Sequence, residues 1–278
     1  RDVLKNVNMT FPEKGMTAIV GESGCGKSTV VNMLIGAFRP QKGEVTVGGK
    51  QLEKLSRENW YSHLSAVSYN TYIFNESVRD NFKMAKENVS DEEIFAALEK
   101  VNLKEQVADF EPQPVITRDN VTMRIDSVVF FQVTNAKLYV DRAEGFFGIG
   151  LKKVAELDKV ITEDANNISG GQKQRLALAI ALVSGKDIYV FDEATSNIDI
   201  ESEAVIMKNI KAISESKSVI VISHRLANVV PADNIYYMEE GEIKESGSHE
   251  KLMAARQGYA RLYTAQKTLE QAYAEGVE

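Results

Sequence analysis

The sequence predicts an α/β fold in which short buried strands alternate with helices around a mostly parallel sheet. Three observations indicate this class. An apolar strand at residues 16–20 leads through a glycine-rich turn into a helical pattern, a second buried strand lies in residues 187–195, and a third, at residues 218–223, follows a helical pattern at 201–214. Strands and helices that alternate in this way are typical of parallel sheets covered by helices.

Local patterns predict the remaining elements. Ser90 precedes an amphipathic stretch with acids in its first turn, at residues 91–101, which is typical of a capped helix. In residues 121–133, Val121, Met123, Ile125, Val129, Phe131 and Val133 share one face, which predicts a long, half-buried strand. The other predicted elements are strands at residues 3–11, 43–47 and 63–69, a hairpin at 235–245, a short helix at 151–157, a helix that starts after residue 168 and an amphipathic helix from residue 258.

Composition narrows the possible functions. Of the 278 residues, 33 are Lys or Arg and 40 are Asp or Glu, so the net charge is −7, whereas non-specific nucleic-acid binders usually have a basic excess. The single cysteine, Cys25, excludes an intrachain disulfide and fits a reducing compartment. The longest apolar run, residues 176–183, is far shorter than the ~20 residues of a membrane-spanning helix. We therefore expect a globular chain without a membrane span, a signal peptide or a nucleic-acid partner.

The strongest motif is the segment GESGCGKST between the first apolar strand and the first helix. It consists of Gly21, Glu22, Ser23, Gly24, Cys25, Gly26, Lys27, Ser28 and Thr29. This is the pattern of a phosphate-binding loop, in which backbone N–H groups surround phosphate oxygens, Lys27 pairs with the β and γ phosphates and Ser28 can bind Mg²⁺. A chance match in a turn is disfavoured, because a strand precedes the motif and a helix follows it.

A second motif is the acid pair Asp192 and Glu193, which ends the buried strand DIYVFDE. Carboxylates at the end of a buried strand are costly to desolvate unless a cation lies nearby. Beside a phosphate-binding loop, we expect Asp192 to hold Mg²⁺ through water and Glu193 to polarise the attacking water. Two solvated acids at a strand end are the alternative interpretation.

A third motif, ISGGQ, places Ser169, Gly170, Gly171 and Gln172 after Ile168 at a helix start. With the two motifs above, the sequence resembles the nucleotide-binding domain of an ABC transporter, whose signature is usually LSGGQ. The resemblance implies a P-loop NTPase fold, and it implies that this segment contacts the γ-phosphate of ATP bound to a second domain. A helix N-terminus suits that contact because its N–H groups and dipole attract anions.

The same resemblance assigns two further residues. Asp199 lies in a segment similar to the family's D-loop, and His224, after the strand at residues 218–223, matches the switch histidine that contacts the γ-phosphate. Residues 68–82 and 247–266 resemble the exporter-type members. The other two histidines, at positions 63 and 249, are interpreted as structural.

Three features depart from the family pattern. Tyr69 occupies the position of the Q-loop glutamine, and its rigid ring replaces a flexible amide that reaches Mg²⁺ and the attacking water; Asn70 is the neighbouring amide. The aromatic residue that stacks on adenine in the family would lie upstream of Arg1, so we expect weakened adenine binding. The distance from Tyr69 to Ser169 is 100 residues (169 − 69), longer than the family normally uses.

The extra length corresponds to a β-rich segment at residues 111–155. Its centre, residues 112–140, resembles the start of stomatin/prohibitin-type membrane-scaffold domains over some thirty residues. An extended β-hairpin inserted in the helical arm is the simpler interpretation, and an engineered or recombined chain is another. An exposed edge with Phe130 and Phe131 would need a partner, because unpaired apolar edges aggregate.

The sequence therefore predicts an ATPase that drives transport. Two such domains, identical or different, would enclose two ATP molecules head to tail with Mg²⁺ and drive transmembrane subunits, which dock near residues 69–81 at the cytoplasmic face of the membrane. The predicted parts are an ATP-binding core with an antiparallel β subdomain (1–68 and 160–250), a helical subdomain (69–110 and 156–185), the inserted segment (111–155) and a C-terminal helix (251–278). The alternatives are a non-hydrolysing or engineered nucleotide-binding module and a soluble ABC ATPase of DNA repair or translation.

Overall fold

The computed structural model describes residues 3–103, 113–116, 122–125, 157–158, 160–161 and 168–274. Its strands are β1 Gly15–Gly21, β2 Thr46–Val47, β3 Lys50–Gln51, β4 Leu64–Ser68, β5 Gln113–Ile116, β6 Thr122–Ile125, β7 Ile188–Asp192, β8 Ser218–Ile222, β9 Asn234–Glu239 and β10 Glu242–Gly247. Its α-helices are α1 Lys27–Leu34, α2 Arg57–His63, α3 Val78–Ala85, α4 Asp91–Lys100, α5 Gly170–Val183, α6 Ile200–Ser214, α7 His249–Ala255 and α8 Gly258–Ala274.

A six-stranded sheet forms the centre of the protein, in the order β10-β9-β1-β8-β7-β4. Its strand pairs are parallel except for β9 with β10. Ile222 of β8 lies between Ile19 of β1 and Asp192 of β7, and Ser68 of β4 lies beside Asp192. The carboxyl ends of these four strands therefore share one edge. This topology confirms the predicted α/β class with a mostly parallel sheet.

Helices cover both faces of the sheet, because the side chains of each buried strand alternate between the two faces. One face packs against α5 and α6 through Ala18, Phe191, Val221, Leu178 and Ile206. The other packs against α1 and α2 through Ile19, Val190, Ile222, Val30 and Trp60. Strands buried on both faces read as continuous apolar runs, which is why the sequence revealed β1, β7 and β8.

The strand predicted at residues 3–11 is wrong. These residues lie in the described part of the chain and form no strand there. Asn6 has a φ of 50°, which interrupts an extended backbone. The apolar side chains of the segment still pack on the core, and Lys5 N–H donates to Gly241 O at 2.8 Å. Alternation here reflects the packing of a loop rather than a β-ladder.

Two other expected regions match closely. Ser90 caps α4, since its hydroxyl accepts from Glu93 N–H at 3.3 Å and Glu93 Oε2 accepts from Ser90 N–H at 3.1 Å. Helix α8 begins at Gly258, as predicted. The region after residue 250 is not one helix, however, because α7 and α8 are separated at Arg256, which has a φ of 56°.

The β-rich segment is described in part. Strands β5 and β6 pair antiparallel, with Gln113 opposite Ile125 and Ile116 opposite Thr122. The rest of the strand predicted at residues 121–133 and nearly all of the helix predicted at 151–157 lie outside the described residues. The predicted domain boundaries remain predictions.

Candidate functional site

The glycine-rich motif, the acid pair and His224 meet at the carboxyl edge of the sheet. The glycine-rich loop follows β1, the acid pair ends β7, and His224 follows β8. Parallel strands that share an edge place the loops after them side by side, which is where α/β proteins bind ligands. The lining of a cavity of about 190 Å³ at this edge consists of Val3, Ser23, Gly24, Gly26, Lys27, Ser28, Thr29, Glu193 and His224.

The glycine-rich loop turns sharply into α1. Gly24 and Gly26 have φ values of 81° and 106°, a region that favours glycine. Gly26 is the N-cap of α1, and no side chain caps the helix within the described structure, so the N–H groups at this end are free to bind an anion. The Lys27 ammonium lies against the same loop, with Nζ donating to Gly21 O at 2.8 Å and to Glu22 O at 2.9 Å.

Two residues of the motif have a structural role. Cys25 is buried and belongs to the apolar cluster between α1 and the sheet. Gly21 packs so closely on the Met238 carbonyl that a Cβ at this position would clash. These residues shape the loop, whereas Ser23, Gly24, Gly26, Lys27, Ser28 and Thr29 border the cavity.

Glu193 and His224 form a pair at the cavity wall. Glu193 Oε1 and His224 Nε2 are 2.6 Å apart. Glu193 has a φ of 54°, and its N–H donates to Ile222 O at 2.9 Å, which continues the hydrogen bonding between β7 and β8. A left-handed conformation is unfavourable for glutamate and is typical of residues held for function. The pair thus places a carboxylate and an imidazole beside the glycine-rich loop.

Asp192 lies in a place that fits the expected cation. Its Oδ1 is buried and has no hydrogen-bond partner among the described residues. Burial raises the pKa of Asp192, Glu193 raises it further, and Lys27 and His224 oppose both effects. No group of three or more His, Cys, Asp or Glu within the described ranges could hold a metal ion. Mg²⁺ fits this arrangement nonetheless, because it usually binds one or two protein groups, waters and substrate phosphates.

The ISGGQ segment lies at the N-terminus of α5 and does not line the cavity. Ser169 Oγ accepts from Gln172 N–H at 3.2 Å, and Gln172 Oε1 accepts from Ser169 N–H at 2.9 Å. A Cβ on Gly171 would lie 2.8 Å from Asn197 O, whereas a Cβ on Gly170 would meet nothing within 4 Å in the described structure. Gly171 therefore packs inside the chain, and Gly170 faces open space.

Asp199 also has partners within the chain. It caps α6 by accepting from Ser202 N–H at 2.8 Å, and it accepts from Arg175 Nη1 at 3.0 Å. The Ser202 N–H is the main reason that the pKa of Asp199 is lowered, and Arg175 contributes. Gln174 holds the preceding turn, because its amide bonds to Ser196 Oγ and Asn197 N–H at 3.1 and 2.9 Å.

Sequence reasoning missed Glu203, which links the acid pair to the histidine loop. Its buried carboxylate accepts from Thr195 Oγ1 at 2.6 Å, from Asn228 Nδ2 at 2.7 Å and from Arg225. Thr195 follows Glu193 by two residues, and Arg225 follows His224 directly. The signal was present, since Glu203 precedes Ile206 and Ile210 by three and seven residues and so lies on the apolar stripe of α6.

Tyr69 directly follows β4, whose last residue pairs with Asp192. Its side chain is 53% exposed and does not line the cavity. The neighbouring aromatic residues Tyr72 and Phe74 are also exposed and meet edge to face at 5.1 Å. Buried Asn81 fixes this loop, with hydrogen bonds to the main chain of Phe74 in both directions.

Known proteins resemble this chain over most of its length. The sequence profile of the family described as "ABC transporter" matches residues 4–196. The chain is 36% identical over 271 residues to an "Uncharacterized ABC transporter ATP-binding protein" of Haemophilus influenzae, covering 98% of the chain and 40% of that protein. It is 32% identical over 264 residues to an "ATP-dependent lipid A-core flippase" of Haemophilus ducreyi, covering 95% and 38%. The chain thus spans about two fifths of the length of these curated relatives.

A solved structure has the same fold as this chain. The protein matches "Structure of a bacterial Atm1-family ABC exporter with ATP bound" with a TM-score of 0.75 and 24% identity, covering 96% of this chain and 39% of that one. At this identity the likeness shows the fold. No described helix is long and apolar enough to cross a bilayer. From the profile match and the sequence identities, the chain belongs to the ABC transporter family.

Proposed function

We propose that this chain is the ATP-binding and ATP-hydrolysing motor domain of an exporter-type ABC transporter. One observation carries the proposal: a single cavity is bordered by Lys27, by the free N-terminus of α1 and by the pair Glu193 and His224, which are 2.6 Å apart. These groups supply an anion site and a candidate base at one place, which is what phosphoryl transfer to water requires.

The phosphate-binding loop would hold the triphosphate of ATP. Lys27 supplies positive charge to the β and γ phosphates, and the N–H groups of the loop and of α1 bind phosphate oxygens. Ser28 and, through water, Asp192 would hold Mg²⁺, which when bound neutralises charge on the phosphates. Asp192 Oδ1, which has no hydrogen-bond partner among the described residues, supports this assignment.

Glu193 would act as the general base. A water oxygen attacks the γ phosphorus, the bond from that phosphorus to the β–γ bridging oxygen breaks, and the water gives a proton to Glu193. The products are ADP and inorganic phosphate. His224 would position Glu193 through their contact and, because it borders the cavity, would contact the γ-phosphate and stabilise the charge that moves during transfer.

A second nucleotide-binding domain, identical or different, would complete each site. The ISGGQ segment and Asp199 do not reach the cavity of their own chain, so we assign them to the ATP bound by the partner domain. The open space at Gly170 allows close approach of a phosphate, because no Cβ blocks the backbone.

Transmembrane subunits or domains would be the transport partners. Two relatives bear the words "permease protein" in their names, a multidrug resistance protein of Lactococcus lactis and a probable one of Bacillus subtilis. We assign the exposed surface at Tyr72 and Phe74, which the buried Asn81 holds in place, to this docking. This surface would lie at the cytoplasmic face of the membrane.

We also propose that the chain divides into the predicted core, helical subdomain and inserted segment at residues 111–155. The inserted segment would resemble the start of a stomatin/prohibitin-type domain.

A non-hydrolysing module is the second candidate, and Tyr69 favours it. The Q-loop glutamine that the family pattern expects is replaced by an exposed phenol outside the cavity lining. This candidate predicts ATP binding without turnover. The exporter-type motor predicts turnover that depends on Glu193.

Glu193→Gln tests the motor directly, because the amide preserves shape but is a far weaker base than the carboxylate. We expect phosphate release to fall at least about a hundredfold, with ATP still bound and an ATP-dependent dimer visible by light scattering. Glu215→Gln, an exposed acid at the end of α6, is the matched control and should keep the parent rate. Unchanged hydrolysis in Glu193→Gln would exclude Glu193 as the base, and a parent chain without turnover would support the non-hydrolysing module.

A further inference from the structure

Helix α8 reaches back to the loop that contains His224. Gln266 Nε2 donates to His224 O at 2.9 Å, and Gln266 Oε1 accepts from Leu226 N–H at 2.8 Å. One amide therefore bonds to the main chain on both sides of Arg225. We propose that Gln266 is a positioning residue for His224, and that α8 thereby controls hydrolysis; the inference rests on the role of His224 in the proposed function.

His224 needs such a constraint because little else fixes its side chain. The imidazole is 52% exposed, so packing alone does not define its orientation. Its contact with Glu193 Oε1 at 2.6 Å depends on where the main chain places it. Ser223 stabilises the turn from the inside, with Oγ bonded to Arg225 N–H at 3.0 Å and to Arg225 O at 3.1 Å. Gln266 holds the same turn from the outside.

Helix α8 is itself firmly anchored, which makes Gln266 a fixed reference point. Tyr259, seven residues before Gln266 and so on the same face of the helix, is fully buried. Its N–H donates to Glu245 Oε1 at 2.9 Å, and its hydroxyl bonds to His249 Nδ1 at 2.8 Å. The start of the helix lies against β9, where a Cβ on Gly258 would come within 2.5 Å of the Tyr237 ring.

The geometry separates turnover from binding. Gln266 bonds to the loop after β8, whereas ATP binding would depend on the loop after β1, to which Gln266 makes no hydrogen bond among the described residues. Removal of the amide should therefore lower kcat about three- to tenfold, the scale of one or two hydrogen bonds. KM should stay within about twofold, because the ground-state contacts of Lys27 and Ser28 are unchanged.

The test is Gln266→Met, which keeps the length and helix propensity of the side chain and removes both hydrogen bonds. Gln271→Met is the matched control, since Gln271 is exposed on the same helix. Steady-state phosphate release against ATP concentration gives kcat and KM for both variants. NMR of the three histidine side chains adds a direct readout, with His224→Ala assigning the His224 signal and His63, paired with Asp187, serving as the reference.

We expect Gln266→Met to lower kcat and to shift the His224 signal, with the His63 signal unmoved. A kcat equal to that of Gln271→Met, or an unmoved His224 signal, would overturn the inference. A change in KM as large as the change in kcat, together with a shift of the His63 signal, would also overturn the inference, because general destabilisation would then explain the effect. If His224→Ala keeps the parent turnover, the proposed role of His224 fails, whatever Gln266 does.

Discussion

Two helices of this protein, α1 and α5, each begin at a glycine-rich motif, yet the two helix starts differ. At α1, no side chain caps the N–H groups in the described structure, and the buried ammonium of Lys27 lies beside them. At α5, Ser169 and Gln172 already bond to each other's main chain. The N-terminus of α1 can therefore bind an anion without a contribution from a second chain. At the α5 start, the N–H groups of Ser169 and Gln172 are satisfied by the motif's own side chains, and Gly170 faces open space in the described structure.

Of the substitutions that compare the two helix starts, Lys27→Ala is expected to have the largest effect. Lys27→Ala removes the charge beside the α1 N-terminus and should weaken ATP binding by at least about a hundredfold, the scale of a lost charge-assisted contact in a desolvated site. A titration with a fluorescent ATP analogue measures it. Lys208→Ala, an exposed lysine of α6, should bind like the parent. If Lys27→Ala binds ATP as tightly as the parent, the α1 start is not the anion site that distinguishes it from the α5 start.

The two glycines of the α5 start should separate packing from ligand approach. Gly171→Ala places a Cβ 2.8 Å from Asn197 O and should destabilise the fold by about 1–3 kcal/mol. Gly170→Ala meets no atom within 4 Å in the described structure, so its thermal midpoint should stay at the parent value while the ATP-dependent dimer weakens. Thermal denaturation and light scattering measure the two effects. Equal thermal midpoints for the two variants would contradict the assignment of Gly171 to packing within the chain and of Gly170 to the approach of a ligand.

Tyr69 gives the smallest expected effect; it follows β4, at the same carboxyl edge of the sheet as the loop that precedes α1. Tyr69→Gln restores a flexible amide at this edge and should raise turnover about three- to tenfold, with little change in ATP affinity, because the Q-loop acts on metal and water during the reaction. Phosphate release and a nucleotide titration compare it with Tyr61→Gln, an exposed tyrosine of α2. A turnover no higher than the parent's would mean that the Tyr69 alignment is wrong or that Asn70 already fills the role.

Local chemistry made much of the protein readable from its sequence. Buried strands are apolar throughout, so β1, β7 and β8 were evident, and Ser90 with its following acids marked the start of α4. The glycine-rich turn after β1 was equally clear, since glycines are needed where φ is positive, as at Gly24 and Gly26. The strand expected at residues 3–11 failed for the converse reason: alternation reports which side chains are buried, but a strand also needs a partner for its backbone.

Tertiary structure decided how these pieces act together. The sequence by itself determined the α/β class, the glycine-rich loop after β1 and the acids at the end of β7, because each depends on neighbours within a few residues. The pairing of Glu193 with His224, the link through Glu203 and the clamp from Gln266 to the His224 loop join residues that are distant in the chain. Such contacts arise only when the sheet sets the strand order and the helices pack on its faces, so a local pattern can mark a residue such as Glu203 but cannot name its partners.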